Sequence, residues 1–160
     1  MIKKNSVIAS LLLLLAVGTS CEKSPAEKLT LNSIACVQCH TIQSAADLQA
    51  LSLQPGDTVI MKSGQWTDQE LTFSAQGTKQ QPIVLMAEQR GAVIMKGTSS
   101  VSITGQWLVV DGLVFQEGYT TGKNVVDFTS SSSNCRLTNT SIVDYNPSGP
   151  TTDYPWVWIN

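Results

Sequence analysis

Gly105-Gln106-Trp107-Leu108-Val109-Val110-Asp111-Gly112-Leu113-Val114-Phe115 is the stretch on which the fold turns. Two very short, β-branched and aromatic runs, at 107–110 and 113–115, stand on either side of Asp111-Gly112, with Gly105 just ahead of the first. Branched and aromatic side chains favour extended backbone, and glycines at this spacing supply the bends. Strands this short make the chain turn every few residues.

The same design runs outward in both directions. Upstream, strands are expected at 58–62, 70–73, 83–87, 92–96 and 101–104; downstream, at 125–128, 135–138, 141–144 and 156–159. Gly64, Gly77, Gly91, Gly97, Gly118 and Gly122 punctuate them, and Asn-Gly hairpin signals are absent. Comparable strands recur loosely: Val101, Val125 and Trp156 are 24 and 31 residues apart, and Leu113 and Ile142 are 29 apart. Three short strands and three bends per repeat are what a right-handed parallel β-helix requires, with an antiparallel β-sandwich as the alternative. Val109, Leu113 and Phe115 are expected to point inward. Asn134 and Asn139 flank a strand at corners where amides can bond along the stack. Ser44 is an N-cap for a short helix over 44–53, ending before the turn signal Pro55-Gly56-Asp57 and covering the open end of the first coil.

The composition agrees with an all-β domain. The 160 residues are 42% hydrophobic and 14% charged, enough for one domain and inconsistent with a disordered chain. The formal charge of −2 becomes −4 without Lys3 and Lys4, which argues against a nucleic-acid partner.

Residues 1–20 read as an export signal: Lys3 and Lys4, then an apolar run over 7–17 broken only by Ser10, then Gly18-Thr19-Ser20. Eleven helical residues rise about 16 Å, roughly half a bilayer core, so a permanent span is disfavoured. Cys21 directly after Ser20 resembles a lipobox and is the candidate lipid-attachment residue; cleavage after Ala16-Val17-Gly18 is the alternative. Either way the chain is expected in the periplasm, or at the outer membrane or cell surface as a lipoprotein. Residues 21–41 then read as a tether.

Within that tether Cys36-Val37-Gln38-Cys39-His40 matches the C-x-x-C-H pattern of covalent haem attachment, with Cys36 and Cys39 as thioether donors and His40 as iron ligand. The competing reading is a local disulfide or two free thiols, because the surroundings are strand-rich and a small cytochrome needs helices. Zinc would need about four ligands, and Cys135 lies far off while no second histidine exists.

Pro55-Gly56-Asp57-Thr58-Val59-Ile60, Gly64-Gln65-Trp66 and Gly77-Thr78-Lys79-Gln80-Gln81-Pro82-Ile83-Val84-Leu85 resemble the start of polysaccharide lyase family 6, the alginate lyases and chondroitinase B. The opening stretch and Asn134-Cys135-Arg136-Leu137-Thr138-Asn139 continue the resemblance in order, over about residues 42 to 160. It implies calcium-assisted β-elimination on an anionic uronate polysaccharide, with a lysine base and an arginine near the leaving group, all from later coils. No catalytic or metal residue is therefore assigned in this chain. Lys62, Lys79, Lys96, Lys123 and Arg136 read as solvated turn charges, and Asp111, Glu117, Asp127, Asp144 and Asp153 lack calcium-loop spacing. Because Trp156 to Asn160 ends inside an expected strand, 42–160 reads as the N-terminal part of a longer helix. A non-catalytic carbohydrate-binding β-helix is the other functional class the pattern allows.

Overall fold

The structure is a computed structural model, and it describes residues 37–146 and 155–160. Its elements are β1 (Cys39–Ile42), α1 (Ala45–Gln49), β2 (Thr58–Met61), β3 (Gly64–Thr67), β4 (Glu70–Gln76), β5 (Ile83–Ala87), β6 (Val93–Gly97) and β7 (Ser100–Gln106). They continue as β8 (Leu108–Asp111), β9 (Leu113–Gly118), β10 (Val126–Phe128), β11 (Arg136–Thr138), β12 (Ser141–Val143) and β13 (Val157–Ile159). Three sheets form: sheet A in the order β1-β2-β5-β8-β11, sheet B as β3-β6-β9-β12, and sheet C as β4-β7-β10-β13. Each strand pairs in parallel with its counterpart one coil before and after. This is a parallel β-helix, and the antiparallel sandwich is excluded, since all strand pairing among the described residues is parallel.

Inward side chains stack in columns. Val59, Leu85 and Val110 line up from sheet A, Trp66, Met95 and Phe115 from sheet B, and Phe73, Ile103 and Phe128 from sheet C. All of them are buried. Strand alternation puts every second residue inside, so the register decides everything. Here two expectations need correction. Val109 faces outward, because Trp107 takes the corner at φ +55° and β8 starts at Leu108, making Leu108 and Val110 the buried pair. The expected columns also slip: Val101 pairs with Val126 and then Val157, each one residue on, and Ile142 sits beside Phe115, two residues past Leu113.

The N-terminal end differs from expectation as well. The first strand begins at Cys39, so part of the supposed tether is already the edge of sheet A. Gly64–Thr67, expected as a turn, is a strand whose Trp66 is buried and whose indole N–H donates to the Lys62 carbonyl at 2.9 Å. Helix α1 stops at Gln49, well short of residue 53, and Ala50 is its C-cap. Ser44 Oγ accepts from the Asp47 N–H at 3.1 Å, as an N-cap should. Asp47 answers by accepting from the Gln43 N–H, the chief reason its carboxyl lies below the usual range. The helix buries Leu48 and rests on β4 and β1, covering the first coil as expected.

Tyr145 is buried in the core. Its ring meets Phe115 edge to face at 5.7 Å, and its hydroxyl donates to the Ser99 carbonyl at 2.8 Å. Burial pushes its pKa up to about 12. In the unfolded chain a tyrosine loses its proton near pH 10, so the contribution of Tyr145 is complete below that pH and is lost as pH climbs through about 12. Urea midpoints measured from about pH 9 to 12 should therefore fall more steeply for the native chain than for Tyr145→Phe. Parallel slopes would show that the hydroxyl is not held as described.

Candidate functional site

The corners decide which side chains reach solvent together. Asp68, Gly97, Glu117 and Asp144 all have positive φ at the bend from sheet B to sheet C, and Trp107 and Asn134 do so where sheet C returns to sheet A. Gly112 and Asn139 repeat the pattern between sheets A and B. Asparagine and aspartate tolerate this left-handed conformation better than other side-chain-bearing residues, which explains their places here.

Charges at these corners pair between coils. Lys62 meets Glu88 at 3.1 Å, Arg90 meets Asp111 at 3.1 Å, Lys96 meets Glu117 at 2.7 Å, and Lys123 pairs with Glu70. Glu88 also accepts from the Ser63 N–H, and that bond, ahead of Lys62, draws its pKa below the ordinary value. Asn139 does hold a corner, yet its amide donates to Asp111 Oδ1 at 2.8 Å, a carboxylate and not another amide. Lys62, Lys96 and Lys123 are thus each engaged by a carboxylate brought near by the coiling of the chain. Among the described residues no group of three or more His, Cys, Asp and Glu is placed to hold a metal. They do not fit a calcium site, and no step is assigned to the metal here.

Cys21 and Cys36 lie outside the described residues. Cys39 is disulfide-bonded, and Cys135, beside β11, is a free thiol whose sulfur donates to the Ser133 and Gly105 carbonyls. His40 follows Cys39 on β1 and points to the other face, inward, with Nε2 3.5 Å from Asp57 Oδ2 and no hydrogen-bond partner among the described residues. Asp57 is buried and accepts from the Gln54 N–H at 2.8 Å. The Cys39 sulfur and the His40 imidazole therefore stand on opposite faces of β1.

A surface that sequence reasoning missed lies on the outward face of sheet C. Register places Thr72, Ser102, Asp127 and Trp158 in one row, and Ser74 and Thr104 begin the next, where Thr104 Oγ1 lies 3.2 Å from Thr129 Oγ1. Beside the first row is an open hollow of about 330 Å³ lined by Ser100, Ser102, Lys123, Asn124 and Asp127. Asn124 Nδ2 donates to Asp127 Oδ1 at 3.0 Å. Serine, threonine and one tryptophan scattered over four strands give no local signal; only the coil register assembles them.

The model of the family described as Chondroitinase B matches residues 42–160. The chain belongs to this family. Among solved structures it is similar to a polysaccharide lyase family 6 enzyme from Pseudopedobacter saltans, at 38% identity and a TM-score of 0.70 over 74% of this chain and 28% of that one. It is also similar to the family 6 alginate lyase AlyGC, at 33% identity and a TM-score of 0.60 over 65% of this chain and 15% of that one. A mannuronic acid specific family 6 lyase from human gut microbiota matches at 30% identity and a TM-score of 0.57 over 64% of this chain and 26% of its own. No curated protein matches. The chain thus spans between a seventh and a third of these three solved relatives, and its coils match only part of each of them.

Proposed function

We propose that the protein is an exported polysaccharide lyase that cleaves a uronate polymer, alginate or chondroitin and dermatan sulfate, by β-elimination. The observation that carries this reading is the family match over 42–160, supported by the parallel β-helix with its capping helix. In such a step a base takes the proton on C5 of the uronate, a double bond forms between C4 and C5, and the 4-linked oxygen leaves with its bonding electrons. The ring carboxylate must be neutralised first, since its charge opposes the carbanion. Calcium is the family-implied agent. The test is protein made from the natural reading frame, incubated with alginate and with dermatan sulfate. Ultraviolet absorbance from unsaturated uronate is expected with one of them; absence with both would remove the reading.

The same proposal includes anchoring through Cys21. Replacing Cys21 with serine is expected to abolish palmitate labelling in a bacterial host. Persistent labelling, or a mature chain starting at Thr19, would count against it.

A further inference from the structure

The bend from sheet B to sheet C lengthens along the helix. It holds residues 68–69 in the first coil, 98–99 in the second and 119–125 in the third, so two, two and seven residues separate the flanking strands. The longer bend begins with Tyr119, which is 43% exposed. We propose that Tyr119 is a substrate-binding residue remote from the reacting ring, its phenol stacked on a pyranose of a uronate polymer whose cleaved linkage lies over later coils. The ligand rests on the lyase reading of this chain; the placement rests on the geometry of the bend.

Three observations support this. First, Tyr119 is not at an end of the solenoid, because sheets B and C each carry a further strand beyond it, β12 and β13. The other exposed large apolar side chains among the described residues are Val37 and members of the stretch 143–159, at the two ends of the described chain. Second, the ring is presented from a rigid root. The Tyr119 N–H donates to the Gly97 carbonyl at 2.8 Å. A Cβ built on Gly118 would run into that same carbonyl oxygen and lie 2.6 Å from the ring of the buried Tyr145, so the bend is clamped between the preceding coil and the core. Thr120, the next residue, is buried. With a packed residue on either side, Tyr119 has little backbone freedom left to lose when a ligand binds. Third, the chemistry suits a sugar. A pyranose has an apolar face of C–H groups, and an uncharged aromatic ring covers it while the carboxylate and hydroxyls stay in water. The carboxylate of Glu117 is balanced by Lys96 and that of Glu70 by Lys123, so a polyanion meets paired charges beside the ring, and stacking needs no free cation.

The experiment uses protein made from the natural reading frame, with alginate and dermatan sulfate as polymers and their size-fractionated oligomers as short substrates. On the polymer that yields unsaturated product, Tyr119→Ala is expected to raise KM about tenfold with kcat unchanged, while Tyr119→Phe keeps KM within about threefold of the native value. On the shortest oligomer that is cleaved, Tyr119→Ala is expected to leave both constants unchanged, because that substrate does not reach the third coil. Circular dichroism checks that each variant is folded. Should the Ala variant unfold, Tyr119→Leu, apolar but without a flat face, takes its place. A folded variant with native KM on the polymer, or with the same loss on the polymer and the shortest oligomer, overturns the proposal. If the native protein gives no product from either polymer, the lyase reading fails by itself, and calorimetric Kd values for the same polymers decide the contact. Binding that Tyr119→Ala weakens about tenfold supports it, and equal binding or none overturns it.

Discussion

Alanine at position 105 is expected to cost about 4 kcal/mol of folding stability. Gly105 is the register partner of Ala75 in sheet C and sits at φ +120°. A Cβ built there runs into the Ala75 carbonyl oxygen and lies 3.0 Å from the carbon behind it. Both obstacles are backbone of the adjoining coil, so neither can swing aside without breaking the ladder. Backbone in this region is nearly closed to residues with a side chain and costs about 1–3 kcal/mol, and forcing the coils apart adds about 1–3 more. A domain stable by only about 5–15 kcal/mol then loses a large share of its margin. Gly122→Ala is the matched control: φ is +76° and nothing lies within 4 Å of its Cβ, so strain alone remains, about 1 kcal/mol. Urea unfolding of the two variants measures the difference. If Gly105→Ala were no worse than Gly122→Ala, the close approach of the coils at that corner would be wrong.

That corner also explains what could and could not be read from the sequence. Strand content was legible because β-branched runs between glycines need only local chemistry, and 83–87 is a strand to the residue. Facing was less legible. Trp107 and Asn134 take left-handed corners without being glycine, and each corner of this kind shifts the strand after it by one position, which is how Val109 was placed on the wrong side. Strand β3 was missed because Gly64-Gln65-Trp66-Thr67 has a single apolar residue, and its strand character comes from pairing with β6. The cross-coil ion pairs had no sequence signal either. Arg90 and Asp111, or Lys123 and Glu70, become neighbours only once the coil length between them is known. Family membership was more legible than any of these, because ordered turn motifs survive where register is ambiguous.

The chain as it stands, residues 1 to 160, is expected to release no unsaturated uronate from polymannuronate, polyguluronate or dermatan sulfate, even in millimolar calcium. Elimination needs a carboxylate-neutralising group, a base on C5 and a donor at the leaving oxygen, all over one sugar ring. A misplacement of about 1 Å among such groups already costs on the order of a hundredfold. The described residues offer no cluster for a metal, and three of the available lysines are held by carboxylates: Lys62 by Glu88, Lys96 by Glu117 and Lys123 by Glu70. His40 is the sole histidine, and its Nε2 faces Asp57 inside the first coil, away from any polymer. The measurement is ultraviolet absorbance over hours at high protein concentration, with a lyase of known activity as control. Calcium-dependent product from the chain alone would place a catalytic group within these coils, and Arg136, exposed on the outer face of β11, would be the first residue to replace.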